Sequence, residues 1–197
     1  MTQSLKQNIR KNILAQREQL SADTRAAHSA AISARIAKLE VYRQATTILG
    51  YMNFGAEFAS ELWIQQVLAD GKKLALPRVN RHTNQLELYW VDDLENQLAA
   101  GLWGIREPIV ERCERLVTLN EVEFALLPGV AFTRDGARLG YGSGFYDKLL
   151  AHMTHQPALA AAAFALQIVE QIPQEATDVK VEWIITEQET IACSAEE

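Results

Sequence analysis

Short apolar runs that alternate with helical stretches constrain this chain more than any other feature. "TTILGYM" (Thr46 to Met52), "KLALPRV" (Lys73 to Val79) and "LELYWV" (Leu86 to Val91) have the length and β-branched character of strands. "EFALLPGVAF" (Glu123 to Phe132) and "WIITEQ" (Trp183 to Gln188) read the same way. "ALAAAAFA" (Ala158 to Ala165) is ambiguous by periodicity, but a proline precedes it and its length suits a buried strand. Between them lie helical segments. Two open the chain, Thr2 to Leu20 and, capped by Ser21, a second that carries on to about Leu39. Ser60 is placed to cap "ELWIQQVLAD", which Gly71 ends, a further helix is expected from near Tyr146 to about Met153, and "QIVEQI" (Gln167 to Ile172) reads as a short one. Strands alternating with helices predict an α/β fold: three layers, with a largely parallel twisted sheet flanked by helices and the two N-terminal helices added. At 197 residues the chain fits one such unit spanning 1–197.

In parallel sheets ligands gather beyond the carboxyl ends of strands. At that kind of junction stands "LLPGVAFTRDGARLGYGSGFYDKLL" (Leu126 to Leu150), where Arg138 precedes three alternate glycines, Gly140, Gly142 and Gly144. Alternate glycines leave successive N–H groups unshielded and allow positive φ, so the amides can converge on an anion. A following helix start adds free N–H groups, and a guanidinium adds a full charge with a bidentate fork. The loop suits phosphate. It matches neither the Gly-Lys-Ser/Thr ending of the P-loop, because Phe145 follows Gly144, nor the dinucleotide fingerprint, because one residue separates Gly142 from Gly144. Asp147, in the first turn of the expected helix, has two readings: favourable charge at a helix start, or a carboxylate for a magnesium ion that bridges phosphates.

On the first helix Leu5, Ile9, Ile13 and Leu20 share an apolar stripe, and Lys6, Arg10 and Arg17 line its border, while Lys11 and Glu18 point away. Such cations either snorkel past the core to water or face a bound polyanion. The formal net charge of −6 argues against broad nucleic-acid or anionic-membrane binding. The polar N-terminus is no secretory signal, and the longest apolar block, Ala158 to Leu166, is too short to cross a bilayer. The two cysteines, Cys113 and Cys193, fit no metal spacing and read as free thiols of a reducing, cytoplasmic setting. His152 and His155 lack a third ligand and read as surface residues, and the terminal "SAEE" is the one stretch where disorder is expected.

The long glycine stretch resembles the signature of the 5-formyltetrahydrofolate cyclo-ligase (5,10-methenyltetrahydrofolate synthetase) family: Pro-Gly-x-x-Phe, a short turn, then Arg-Leu-Gly-x-Gly-x-Gly-x-Tyr-Asp. The resemblance extends over most of the chain. Lys6 and Arg10 match the family's Lys-x-x-x-Arg, Glu57 matches a glutamate after the first strand, "WGIREP" (Trp103 to Pro108) looks like Gly-Ile-x-Glu-Pro, and "DVKVEW" resembles the C-terminal Asp-bearing segment. The resemblance implies conversion of 5-formyltetrahydrofolate and ATP, with magnesium, to 5,10-methenyltetrahydrofolate, ADP and phosphate by phosphorylation of the formyl oxygen. It implies that Lys6, Arg10 and Arg138 neutralise the phosphates and that Leu139, Gly140, Tyr141, Gly142, Ser143, Gly144, Phe145 and Tyr146 wrap the ATP. Met52, Glu57 and residues 141–145 would lie against the folate, and Asp147 and Asp178, with Glu182 as a rival, would hold the metal. Many family members carry a basic residue where Tyr141 or Ser143 stands, so phosphate affinity here would lean on the three cations. Small-molecule partners and a monomer or weak homo-oligomer are expected. Two other functions are weighed beside this one: a non-catalytic nucleotide- or folate-binding protein, and an enzyme on another phosphorylated small molecule. The co-occurrence of Lys6, Arg10, Glu57, Arg138 and Asp147 speaks against the former, and the length of the motif speaks against the latter.

Overall fold

The computed structural model describes residues 2–193; the "SAEE" tail lies outside them. Its helices are α1 (Thr2–Gln19), α2 (Ala22–Ile36), α3 (Glu40–Gln44), α4 (Ser60–Ala69) and α5 (Phe145–Leu150). Its strands are β1 (Thr47–Leu49), β2 (Lys73–Asn80), β3 (Gln85–Trp90), β4 (Leu98–Ala100), β5 (Arg106–Pro108), β6 (Arg115–Leu116), β7 (Phe124–Leu127), β8 (Ala131–Phe132), β9 (Arg138–Leu139), β10 (Ala158–Ala162), β11 (Trp183–Ile185) and β12 (Thr190–Ala192). Eight strands form one sheet in the order β12-β11-β10-β7-β1-β2-β3-β6. The run from β11 to β2 is parallel throughout, whereas β12 and β3 join antiparallel to their neighbours. This is the expected α/β layout.

Both faces of the parallel strands are covered, so successive residues serve opposite cores. Ile48, Phe124, Leu126, Ala160 and Ala162 join Ile32, Trp63 and Val67 of α2 and α4 on one face. Leu49, Ala125, Leu127, Leu159 and Ala161 join Leu149 and Leu150 of α5 on the other. That arrangement explains why these strands read as unbroken apolar runs. A third cluster sets α1, through Ile13, against Val130, Ala131, Ala137 and Leu139 of the β8–β9 hairpin. The first helix therefore packs on the glycine-loop segment.

Several local expectations are corrected. The second helix is capped by Ser21 as expected (its Oγ accepts from Thr24 N at 3.1 Å) but ends at Ile36 rather than about Leu39, and the short helix α3 follows. Ser60 opens α4 without capping it; its hydroxyl instead accepts from Asn53 N at 3.0 Å, bracing the loop after β1. "EFALLPGVAF" is split by Pro128–Gly129 into β7 and β8, which belong to different sheets. Gln167 to Ile172 is not helical beyond the 3-10 turn Ala165–Gln167, because its polar groups are used elsewhere. The buried Gln167 amide donates to Gly129 O and Val130 O, each at 3.1 Å, and Val169 N donates to Phe132 O at 2.8 Å. Helix α5 spans six residues rather than reaching Met153, "WIITEQ" ends as strand at Ile185, and Leu5 is 51% exposed instead of core.

Candidate active site

Beyond the carboxyl ends of β1, β2 and β7 lies a cavity of about 410 Å³. Its floor is Tyr51, Met52 and Glu57 from the loop after β1; Pro77 and Val79 come from β2, and Pro128 from the end of β7. Arg138 of β9 and the loop Gly140–Gly144 form one wall, continued by Phe145, Tyr146 and Asp147 of α5. Trp103, 61% exposed and held at φ 58°, stands at the mouth with Arg106, which is anchored to Glu61 Oε1 at 2.7 Å.

The glycine loop is the common wall. Gly142 (φ 116°) and Gly144 (φ 62°) occupy backbone conformations that an L side chain would strain, so the chain can turn tightly there and present its amides. Arg10 supports the loop from α1, donating from Nε to Gly140 O at 2.8 Å. Leu139 is buried against α1, so its side chain serves packing and its backbone carries the loop. Because α5 is so short, loop amides and side-chain cations, more than a helix dipole, make this wall attractive to anions.

Cations and carboxylates singled out by the sequence meet here as pairs. Arg138, whose side chain is 4% exposed, donates from Nη2 to Asp147 Oδ1 at 2.7 Å and from Nη1 to Pro128 O at 3.2 Å. The same Asp147 oxygen accepts from Val179 N at 3.3 Å, which brings the Asp178 segment alongside α5. Lys6 reaches Asp178 Oδ2 at 3.3 Å and Glu175 Oε1 at 3.1 Å. Burial depresses the Lys6 ammonium, but the Glu175 and Asp178 carboxylates outweigh it and raise its pKa. Lys6 and Asp178 are outside the cavity, as are Arg10 and Gly142, on the α1 side of the loop. Glu182 is exposed and makes none of these contacts among the described residues.

At the opposite end, Glu57 is buried within its own turn. Its Oε2 accepts from Phe54 N at 2.6 Å and its Oε1 from the Tyr141 hydroxyl at 2.6 Å. Burial pushes the carboxyl above the ordinary glutamate range, against the Tyr141 and Phe54 hydrogen bonds and the Arg17 charge. Tyr141 in turn accepts from Arg17 Nη2 at 2.7 Å. Arg17 belonged to the cationic stripe but not to the expected site; its spacing of seven from Arg10 was the available signal, since that spacing repeats one helix face.

Among the described residues no group of three or more His, Cys, Asp or Glu is gathered for a metal ion. Magnesium needs only one or two protein carboxylates beside phosphate oxygens, so Asp147 on the cavity wall fits that requirement, whereas the Asp178 carboxylate lies outside the cavity against Lys6 and Glu175 N. His152 and His155 are exposed, and both cysteines are free, burial holding the Cys193 thiol up to about 11. No described helix is long and apolar enough to cross a membrane.

The model of the 5-formyltetrahydrofolate cyclo-ligase family matches residues 2–187. The chain belongs to this family. Curated cyclo-ligases resemble it over nearly their whole length: one from Mus musculus is 27% identical and covers 93% of this chain and 94% of its own. Another from Haemophilus influenzae is 29% identical, with 91% and 96% covered. The solution structure of 5,10-methenyltetrahydrofolate synthetase from Aquifex aeolicus superposes with a TM-score of 0.84 at 30% identity, covering 98% of this chain and 95% of that one. A structure of the synthetase from Mycoplasma pneumoniae, at 22% identity and a TM-score of 0.72, shares the fold. The cyclo-ligase family expected from the glycine stretch is thus the family found.

Proposed function

We propose that this chain closes 5-formyltetrahydrofolate to 5,10-methenyltetrahydrofolate at the expense of ATP, releasing ADP and phosphate. One observation carries the reading: the glycine loop walls a ligand-sized cavity that holds the buried Glu57 carboxylate and the Arg138 guanidinium, with Arg10 and Lys6 behind it. A formamide carbon is a poor electrophile and its oxygen a poor leaving group. Transfer of the γ-phosphoryl group to that oxygen breaks the P–O bond to ADP and leaves a phosphorylated iminium carbon. The N10 lone pair then attacks this carbon, N10 loses its proton, and the C–O bond breaks to release phosphate as the ring closes.

Such transfer asks the protein for position and charge. Arg138, with Lys6 and Arg10 behind the loop, neutralises the phosphates, and residues 139–146 wrap them. Glu57 accepts from the paired N–H donors of the pterin edge, using lone pairs that Tyr141 and Phe54 leave free. Met52 and the aromatic side chains give flat apolar contact, and no protein nucleophile is required. Asp147 would hold magnesium, whose charge offsets that on the transferring phosphoryl oxygens. Binding would replace the present internal pairs: phosphate takes Arg138 from Asp147, and the carboxylate turns to the metal. We further propose that residues 1–197 act as one unit, as a monomer or weak homo-oligomer in the cytoplasm, without nucleic-acid or membrane partners.

Protein, Mg-ATP and 5-formyltetrahydrofolate are mixed and methenyltetrahydrofolate is followed by its near-ultraviolet absorbance. ATP-dependent product is expected. Absence of product, or product formed equally without ATP, removes this reading.

A further inference from the structure

Of the three cations on the border of α1, Arg17 is the most deeply placed at 3% exposure, and it is the least satisfied. Lys6 has two carboxylates and Arg10 a carbonyl, but Arg17 makes one hydrogen bond, from Nη2 to the Tyr141 hydroxyl. Its Nε and Nη1 are buried without a partner among the described residues. A guanidinium taken out of water with donors unused costs free energy, so it is a poor device for holding a helix in place. Such a local cost is expected where a charge serves function.

What that charge faces is Glu57. The chain Arg17–Tyr141–Glu57 runs through 2.7 and 2.6 Å hydrogen bonds and crosses three separate parts of the fold: α1, the glycine loop and the loop after β1. The titratable groups around Glu57 are Tyr51 beside it, Tyr141 from the glycine loop and Tyr146 from α5, with Arg138 beyond Tyr146. All three phenols are raised, mainly by burial and then by the Glu57 charge, so they stay neutral and none offsets a buried anion. Arg17 is the cation that does.

We propose that Arg17 is a positioning residue of the folate side: acting through the Tyr141 hydroxyl, it holds the Glu57 carboxylate in the charged form and orientation that pterin N–H donors require. The assignment rests on the cyclo-ligase reading and names a residue for it that touches neither substrate. It also makes Tyr141 two-sided. The glycine loop that wraps the nucleotide carries the hydroxyl that tunes the folate carboxylate, so the loop's position is felt at both substrates.

The test is the pH profile of kcat/KM for 5-formyltetrahydrofolate at saturating Mg-ATP, with the ATP-free rate subtracted. Wild type is compared with Arg17→Gln, Arg17→Lys and Tyr141→Phe. Glu57 must be ionised, so removing the cation raises the pH at which activity is lost on acidification. Arg17→Gln is expected to move that limb up by about one unit. Tyr141→Phe moves it in the same direction, Arg17→Lys keeps it at the wild-type position, and the KM for ATP is unchanged in the two Arg17 variants. A merely structural arginine would lower rates without moving the limb. Coincident acid limbs for Arg17→Gln, Tyr141→Phe and wild type overturn the assignment. If Arg17→Gln does not fold by thermal melting, the Tyr141→Phe and Arg17→Lys profiles decide. Wild type without ATP-dependent turnover instead sinks the cyclo-ligase reading, and this inference with it.

Discussion

The Arg138 end and the Glu57 end of the cavity both hold a charge out of water, and they manage it differently. Arg138 is matched directly by a carboxylate that is itself 24% exposed, a contact that water or a ligand can enter. Glu57 is matched by a hydroxyl and an amide, with its cation one hydrogen bond further off and buried. A directly paired charge can be released to a new partner with little change in net charge. A charge held by neutral donors keeps unused lone pairs for a ligand but stays sensitive to protonation. The first arrangement suits exchange of counter-ions, the second recognition of a neutral hydrogen-bonding edge.

The comparison breaks most visibly at Arg138. Arg138→Ala is expected to lower kcat by roughly a hundredfold or more while circular dichroism stays native, since it removes the cation nearest the transferring group. Unaltered ATP dependence in that variant would contradict the assignment. Glu57→Gln sharpens the other side. The KM for folate should rise by on the order of tenfold with the KM for ATP unchanged, and a rise in the ATP term instead would misplace the pterin. The pH dependence of Tm should differ as well. A carboxyl whose pKa is raised in the folded state binds its proton more tightly than in the unfolded chain, so above that raised pKa its charge costs stability. Wild type should therefore gain Tm relative to Glu57→Gln as pH falls from neutral through the ordinary glutamate range, whichever protein melts higher at neutral pH. The smallest effect is expected from Asp147→Asn. Freed of its counter-ion, Arg138 should bind ATP a few-fold tighter without magnesium by calorimetry, and a loss of magnesium-free affinity would show that the pair is no latch.

Much of the fold was legible because strands buried on two faces advertise themselves as unbroken apolar runs, as Thr47–Leu49, Phe124–Leu127 and Ala158–Ala162 do. The glycine loop was equally plain, since Gly142 and Gly144 stand where positive φ is needed. Gln167 to Ile172 misled because its helical spacing was overruled by hydrogen bonds to residues 37 and 38 positions away. Ser60 carried a capping signal but spent its hydroxyl on Asn53. The family resemblance implies Asp147 and Asp178 as metal carboxylates but not their pairing with Arg138 and Lys6, which depends on how the chain packs.

By itself the sequence determined the layer order, the glycine turn and the cationic edge of α1, because periodicity and backbone freedom are properties of neighbouring residues. The tertiary structure alone decided which polar groups meet: Lys6 with Asp178, Arg10 with Gly140, and Tyr141 with both Arg17 and Glu57. Those partners lie 84 to 172 residues apart along the chain, and α1 reaches them by packing on the β8–β9 hairpin. Coulomb attraction and hydrogen bonding act over a few ångströms of space, which no local pattern encodes.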